Sequence, residues 1–221
     1  MAIHRSPSAL SCVSDEVPQG DRWWLWSGAV VVVMGDSNTT NQDPTFYNCW
    51  GEFKNAIDLC LSARGLAPIT WINQGIGGAY TDTIQQDAQV NAIIAAAPTH
   101  VICHIGANDP RSIPNATSVM HYNTWFNKLY VGLPDVRVLM TTAISDEETA
   151  EDMSALAASW RQIARERNVP CVDLYSSYVN VLTPAQRTAT TIDGVHISTG
   201  TGRAWWASNV LFQTKLSEIA S

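Results

Sequence analysis

The sequence has few charged residues and no basic run. Asp, Glu, Lys and Arg make up 15% of its 221 residues, compared with about 25% in an average soluble domain. The 20 acidic residues outnumber the 13 basic ones, which gives a formal net charge of −7 and a pI near 5.1. Because a nucleic-acid-binding domain normally carries a basic stripe, this balance argues against a nucleic-acid partner.

Long hydrophobic runs are also missing. The longest apolar stretch, from Trp23 to Met34, is shorter than the roughly 20 residues that a membrane-spanning helix needs. Residues 1–22 contain acidic residues and prolines but no apolar core of the kind that defines a signal peptide. The sequence therefore predicts no membrane span and no signal peptide. We interpret residues 1–27 as an N-terminal leader that packs on or extends a single domain at 28–221.

Cysteine spacing gives no sign of disulfides or of a metal site. The chain has 5 cysteines, an odd number, and no C-x-x-C pair. Cys103 and Cys171 lie in apolar runs and are predicted to be buried thiols, whereas Cys12 lies in the leader. This pattern favours a reducing, cytoplasmic compartment. A chain of this length can bury a sufficient core without disulfides or metals.

Short β-rich segments alternate with helical ones along the chain. Ala29–Met34 is apolar on both faces, which is typical of a central parallel strand. Further strands are predicted at 69–73, 100–105, 136–141 and 169–174, and helices at 50–61, 81–97, 120–133, 146–168 and 201–219. This alternation predicts a three-layer α/β/α domain with a five-stranded parallel sheet. Such sheets bind ligands beyond the carboxyl ends of their strands.

Polar motifs stand at those strand ends. They are Gly35-Asp36-Ser37 after the first strand, Asn73–Gly78 after the second, Gly106-Ala107-Asn108-Asp109 after the third, and Asp193-Gly194-Val195-His196 after the fifth strand and a polar loop. Each motif is weak evidence alone. Their occurrence at successive strand ends predicts one composite site.

The residue types at these positions are those of nucleophilic catalysis. Ser37 can attack as a nucleophile if His196 removes its proton and Asp193 holds the imidazole in one tautomer. The oxyanion that forms needs hydrogen-bond donors, and the candidates are the Ser37 and Gly78 backbone N–H groups and the Asn108 side-chain amide. A glycine at 78 lets the backbone approach a ligand closely.

Taken in order, these motifs resemble the four sequence blocks of the SGNH (GDSL) hydrolase family, which supply Ser, Gly, Asn and His. Two positions depart from the pattern: Asn38 follows the serine where many members have Leu, and Ile197 follows the histidine where Pro is common. The resemblance implies a flavodoxin-like sheet of order 2-1-3-4-5. It also implies ester hydrolysis through an acyl-enzyme, without a cofactor.

Other motifs have simpler interpretations. We expect Asp36 and Asp109 to organise loops, and His100 and His104 to be core or strand-end histidines, because no third metal ligand is evident. Residues 75–80 begin like a dinucleotide-binding loop, but Tyr80 occupies the place of the third glycine. No G-x-S-x-G elbow occurs, which argues against the common α/β-hydrolase fold.

The sequence thus predicts a cofactor-free serine esterase that acts on a small-molecule ester. We favour short acyl groups, in particular acetyl on a saccharide, because no long apolar lid is evident. Lysophospholipase, thioesterase or acyltransferase activity stays open within the family, as does a non-catalytic carbohydrate-binding module on the same fold. The 9 tryptophans suggest a sugar-stacking side chain near the site, although most are expected in the core. The sequence predicts no oligomeric state.

Overall fold

The sheet has the predicted architecture. The computed structural model describes residues 13–14, 25–40, 48–144 and 150–214. Its five parallel strands are β3 (Val30–Gly35), β4 (Thr70–Gly75), β5 (His100–His104), β6 (Arg137–Thr141) and β7 (Cys171–Val172), in the order β4-β3-β5-β6-β7. Numbered along the sequence among themselves, these strands have the order 2-1-3-4-5, which confirms the prediction. Strands β1 (Val13–Ser14) and β2 (Leu25–Trp26) form a separate parallel pair.

Eight α-helices lie among the described residues. They are α1 (Gly51–Ala63), α2 (Thr81–Ile84), α3 (Asp87–Ala95), α4 (Asn115–Gly132), α5 (Ala150–Arg167), α6 (Leu174–Val181), α7 (Pro184–Thr190) and α8 (Thr201–Gln213). A short 3₁₀ helix at Asp109–Arg111 follows β5. Apolar residues of α3, α4 and α5 form one core, and those of α1, α6 and α8 form another.

The alternation of side chains along β3 explains the two cores. Val32 and Met34 belong to the core under α3, α4 and α5, whereas Val31 and Val33 belong to the core under α1, α6 and α8. Successive side chains of a strand point to opposite faces, so a sheet covered on both sides needs apolar residues at every position. The run of valines in β3 meets that requirement.

Several predicted boundaries are wrong. The predicted helix at 81–97 is two helices, because Gln86 has an extended backbone, with φ −62° and ψ 142°. Lys128 donates to the Gln85 carbonyl and pairs with Asp87 at this break. Helix α4 begins at Asn115, directly after Pro114, instead of at residue 120. Strand β7 keeps only two residues of the predicted 169–174 segment.

The polar loop expected between the fifth strand and Asp193 is also wrong, since helices α6 and α7 fill it. Asp173 caps α6 by accepting from the Ser176 N–H. Thr183 and Gln186 form a capping box at the start of α7, with Pro184 in its first turn. The predicted helical residues 146–149 and 215–219, Cys12 and most of the leader lie outside the described residues.

Most large aromatic and sulfur-containing side chains are buried in the core. Of the seven described tryptophans, Trp50, Trp125, Trp160 and Trp206 are buried. Cys103 is buried and Cys171 half-buried, and burial raises the pKa of both thiols to about 12. The described cysteines form no disulfide.

The remaining described tryptophans, Trp26, Trp71 and Trp205, pack against His100, Phe53 and Tyr178, respectively. The expectation of a sugar-stacking tryptophan therefore gains no support from the described part of the chain. None of the described helices has the length and apolar character that crossing a membrane requires.

Candidate active site

Ser37 stands just beyond the carboxyl end of β3, in a loop that close packing holds in place. Gly35 has φ +153°, and a Cβ there would lie 1.8 Å from the His104 carbonyl oxygen, so only glycine fits. The buried Asp36 carboxylate accepts from the Asn38 N–H at 3.0 Å and from the Ala107 N–H at 3.3 Å. Asp36 thus ties the loop after β3 to the loop after β5, which confirms its expected structural role.

Two further donors hold the end of the same loop. The Thr39 carbonyl accepts from Trp50 Nε1 at 3.1 Å and from Asn73 Nδ2 at 2.7 Å. Trp50 is only 3% exposed, so its indole is packed beneath the loop that it bonds to. These donors come from the N-cap of α1 and from β4, and they hold the end of the loop that carries Ser37.

Ser37, His196 and Asp193 form a continuous hydrogen-bond chain. Ser37 Oγ lies 2.9 Å from His196 Nε2, and His196 Nδ1 lies 2.6 Å from Asp193 Oδ2. Because Nδ1 faces a carboxylate, it carries the ring proton, and Nε2 is left to accept the proton of the serine hydroxyl. The structure therefore brings together three residues that the sequence places 156 and 3 positions apart.

The Asp193 carboxylate also shapes its own turn. Its Oδ1 accepts from the His196 N–H at 2.8 Å and from the Val195 N–H at 3.0 Å. Partial burial alone would raise the pKa of Asp193. The hydrogen bonds from the His196 backbone and ring and from the Val195 N–H outweigh that effect and hold the pKa below its ordinary value. The carboxylate is thus charged at neutral pH.

The turn that carries His196 is a short antiparallel hairpin. Thr191 and Ile197 form a β-bridge, the Ile192 N–H donates to the His196 carbonyl at 2.9 Å, and the Ser198 N–H donates to the Thr190 carbonyl at 2.8 Å. Helix α7 ends at Thr190, directly before this hairpin, and α8 begins at Thr201, shortly after it.

Asn38 is a residue that the sequence analysis noted only as a departure from the family pattern. Its side chain is 1% exposed and reaches across to the hairpin. Nδ2 donates to the Val195 carbonyl at 3.2 Å, and Oδ1 accepts from the Ile197 N–H at 2.9 Å. The two contacts lie directly on either side of His196.

The three expected oxyanion donors stand on three neighbouring loops. Asn108 Nδ2 donates one hydrogen to the Ala79 carbonyl at 2.9 Å, which leaves its second N–H hydrogen available. Gly78 has φ +71° and open space where a Cβ would point. Within the described residues, the N–H groups of Ser37 and Gly78 donate to no protein acceptor.

The remaining sequence candidates have structural roles. Asp109 Oδ1 accepts from the Thr81 N–H at 3.0 Å, and burial raises the pKa of this carboxyl although hydrogen bonds from Thr81 oppose the shift. His100 and His104 are both fully buried. His104 Nδ1 lies 2.6 Å from Thr141 Oγ1. Across the part of the chain that the structure describes, no three His, Cys, Asp or Glu side chains form a group that could hold a metal ion.

This geometry suits nucleophilic chemistry. A serine hydroxyl in contact with an imidazole, which a carboxylate orients, can be deprotonated as it attacks an electrophilic carbon. Unused N–H donors beside it can stabilise negative charge on the attacked group.

Comparison with known proteins points the same way. The family model described as "GDSL-like Lipase/Acylhydrolase family" matches residues 33–199. No curated protein sequence matches the chain at a significant level.

Solved structures share the fold at low sequence identity. A lipase/acylhydrolase from Enterococcus faecalis is 20% identical, with a TM-score of 0.64 over 85% of this chain and 95% of that one. A GDSL-like lipase from Parabacteroides merdae is 19% identical, with a TM-score of 0.72 over 86% and 97%. Axe2, an acetylxylan esterase from Geobacillus stearothermophilus, is 23% identical, with a TM-score of 0.63 over 85% and 94%.

Proposed function

Because the chain belongs to the GDSL-like lipase/acylhydrolase family, we propose that it is an esterase that cleaves small acyl esters through an acyl-enzyme on Ser37. The observation that carries the proposal is the unbroken chain from Ser37 Oγ through His196 to the Asp193 carboxylate, at 2.9 and 2.6 Å. In this reading Ser37 is the nucleophile, His196 the general base and acid, and Asp193 the residue that holds the imidazole tautomer.

Acylation follows from where the protons lie. The Ser37 hydroxyl passes its proton to His196 Nε2 as Oγ attacks the ester carbonyl carbon. The carbonyl oxygen becomes negatively charged, and the Ser37 N–H, the Gly78 N–H and the Asn108 amide donate to it. His196 then gives the proton to the alkoxide of the leaving alcohol as the C–O bond breaks.

In deacylation a water oxygen is the nucleophile and Ser37 Oγ is the leaving group. A water molecule gives a proton to His196 Nε2 and attacks the acyl carbon, and the same donors stabilise the second oxyanion. The Ser37–acyl bond breaks, and Oγ takes the proton back from His196. The Asp193 carboxylate stays ionised throughout and stabilises the imidazolium that forms in each half-reaction.

For the substrate we propose a short acyl group, with acetyl on a saccharide as the favoured case. Support comes from the structural likeness to Axe2, an acetylxylan esterase, and from the absence of a long apolar segment in the sequence that could form a lid over an acyl chain. The lysophospholipase, thioesterase and acyltransferase alternatives differ in the acyl chain or the acceptor, so kinetics can separate them.

The test is an ester panel on the wild-type protein and Ser37→Ala. The panel holds p-nitrophenyl esters from acetyl to long chains, acetylated xylo-oligosaccharides, an acyl thioester and a lysophospholipid, each with and without an added alcohol as acceptor. Ser159→Ala is the matched control, because Ser159 is a half-buried serine of α5 whose hydroxyl accepts from Asn115 of α4 and donates to the Ala155 carbonyl of α5.

We expect kcat/KM to be highest for acetyl esters and to fall with chain length, to vanish in Ser37→Ala and to be unchanged in Ser159→Ala. A steady rise toward long chains would overturn the short-acyl assignment. Saccharide binding without turnover of any ester would instead identify a non-catalytic carbohydrate-binding module.

A further inference from the structure

Asn38 joins the two halves of the candidate active site. Ser37 belongs to the loop after β3, whereas His196 belongs to a hairpin more than 150 residues later in the chain. Beside the Ser37–His196 contact itself, two hydrogen bonds of the Asn38 side chain join the loop after β3 to residues of this hairpin. Asn38 therefore links the loop that carries Ser37 to the hairpin that carries His196.

The Asn38 amide uses both of its ends in this contact. Its donor end meets the Val195 carbonyl at 3.2 Å and its acceptor end meets the Ile197 N–H at 2.9 Å, so the two bonds bracket the backbone of His196. A single bond would leave the hairpin free to pivot, but two bonds on either side of one residue also fix its orientation.

The position of Asn38 is itself fixed. Its backbone N–H donates to Asp36 Oδ1 at 3.0 Å, and its carbonyl accepts from the Cys49 N–H at 2.8 Å. The side chain is buried, so water does not compete for its two bonds. A rigid loop thus presents a rigid amide to the hairpin.

We infer that Asn38 is a positioning residue that sets His196 Nε2 within reach of the Ser37 hydroxyl by holding Val195 and Ile197. Its side-chain hydrogen bonds go to the backbone of Val195 and Ile197, so it acts on the reaction through the position of His196. The effect of Asn38 on the reaction rests on the proposed function of Ser37 and His196. Its effect on the distance between Ser37 Oγ and His196 Nε2 does not. A misplacement of about 1 Å between reacting groups can reduce a rate about 10²-fold.

Asn38→Leu tests this role because leucine has the same number and branching of side-chain heavy atoms but neither a donor nor an acceptor. We expect kcat for a short acyl ester to fall about 10²-fold, with KM within about threefold of the wild-type value, because the change displaces the base and not the substrate contacts. Asn38→Asp is the conservative variant, since a protonated carboxyl has the same pair of donor and acceptor. Burial raises the pKa of such a carboxyl, so the kcat of Asn38→Asp relative to wild type should rise as the pH is lowered from 8 to 6.

Asn123→Leu is the matched control for loss of an internal amide. Asn123 accepts from Arg167 and donates to the Val119 carbonyl, so its network joins α4 and α5 and includes neither Ser37 nor His196. We expect its kcat to equal that of the wild type.

Two structural readouts keep the inference testable whatever the activity. Amide hydrogen exchange should accelerate across residues 192–198 in Asn38→Leu and not in Asn123→Leu. A crystal structure of Asn38→Leu should show Ser37 Oγ and His196 Nε2 separated beyond hydrogen-bond distance.

An unchanged kcat and unchanged exchange in a folded Asn38→Leu variant would overturn the inference. If the wild-type protein hydrolyses no ester, the proposed function fails, and the exchange and crystal readouts still decide whether Asn38 positions His196. If Asn38→Leu does not fold, Asn38→Asp decides. The inference is contradicted if the kcat of Asn38→Asp relative to wild type does not change with pH and its hydrogen exchange across residues 192–198 equals that of the wild type.

Discussion

Replacement of Asp193 by asparagine should inactivate the protein without unfolding it. The amide has the shape of the carboxylate, and its carbonyl oxygen can still accept from the His196 and Val195 N–H groups, which now bond to Oδ1. Its NH₂ group then faces His196 Nδ1 in place of Oδ2, which lies 2.6 Å from that nitrogen in the native structure. A donor at this point makes Nδ1 an acceptor, so the ring proton moves to Nε2. An imidazole protonated at Nε2 cannot accept the Ser37 proton.

The size of the effect follows from this change of tautomer. In serine hydrolases of the triad type the same exchange lowers kcat about 10⁴-fold, or ~5.5 kcal/mol of barrier. The Asp193 side chain is 52% exposed, so the amide can rotate toward solvent and allow water to restore some of the productive tautomer. We therefore expect a loss of about 10³–10⁴-fold near neutral pH.

The assay is kcat for p-nitrophenyl acetate between pH 5 and 9, with thermal unfolding measured in parallel. Asp87→Asn is the control, because Asp87 makes a surface ion pair with Lys128 and should leave kcat unchanged. A loss of less than tenfold in a folded Asp193→Asn variant would refute the tautomer argument and leave Asp193 a purely structural role in the turn.

Three other changes test separate features. Asn108→Ala should lower kcat about 10²–10³-fold if Asn108 is an oxyanion donor as proposed, and an unchanged kcat would leave Asn108 only its bond to the Ala79 carbonyl. Burial holds the pKa of His104 below its ordinary value, so the unfolded chain binds the proton more readily, and the free energy of unfolding should fall as pH drops below about 6.5, by at most ~1.4 kcal/mol per pH unit. Urea unfolding at pH 7 and pH 5 should show a smaller fall in His104→Gln, and equal falls in both proteins would contradict this. Trp160→Phe leaves the buried Ile105 carbonyl without its 2.9 Å donor, which should cost ~1–3 kcal/mol and lower Tm by several degrees, whereas an unchanged Tm would show that the bond contributes little.

The sheet and the site motifs were predictable because their signals are local. The valine run of β3 is apolar at every position, and the polar motif Gly35-Asp36-Ser37 follows it at once, so strand end and site can be read together. Asp193 and His196 stand three residues apart in one turn. Parallel strands bring their carboxyl ends to one edge of the sheet, so these separate motifs meet without further information.

Other features depend on contacts that no local pattern encodes. Helix α6 contains β-branched and aromatic residues, which are typical of strands, and it is helical because Asp173 caps it and Leu174, Tyr175 and Tyr178 pack into the core. At the break between α2 and α3, the Gln85 carbonyl accepts from Lys128, which comes from a different helix.

The contacts of Asn38 in the candidate site also could not be predicted from the local sequence. Its partners, Val195 and Ile197, lie 157 and 159 residues away. Motif comparison therefore recorded Asn38 as a departure, whereas the structure shows what its side chain contacts.

Covalent labelling of the nucleophile tests the central claim most directly. A fluorophosphonate probe should form one adduct on the wild-type protein, and mass spectrometry of the digested protein should locate it on the peptide that contains Ser37. Labelling should be absent in Ser37→Ala and strongly slowed in His196→Ala, since the hydroxyl reacts only when Nε2 takes its proton. An adduct that persists in Ser37→Ala, or that lies on another residue of the wild-type protein, would contradict the assignment of Ser37 as the nucleophile.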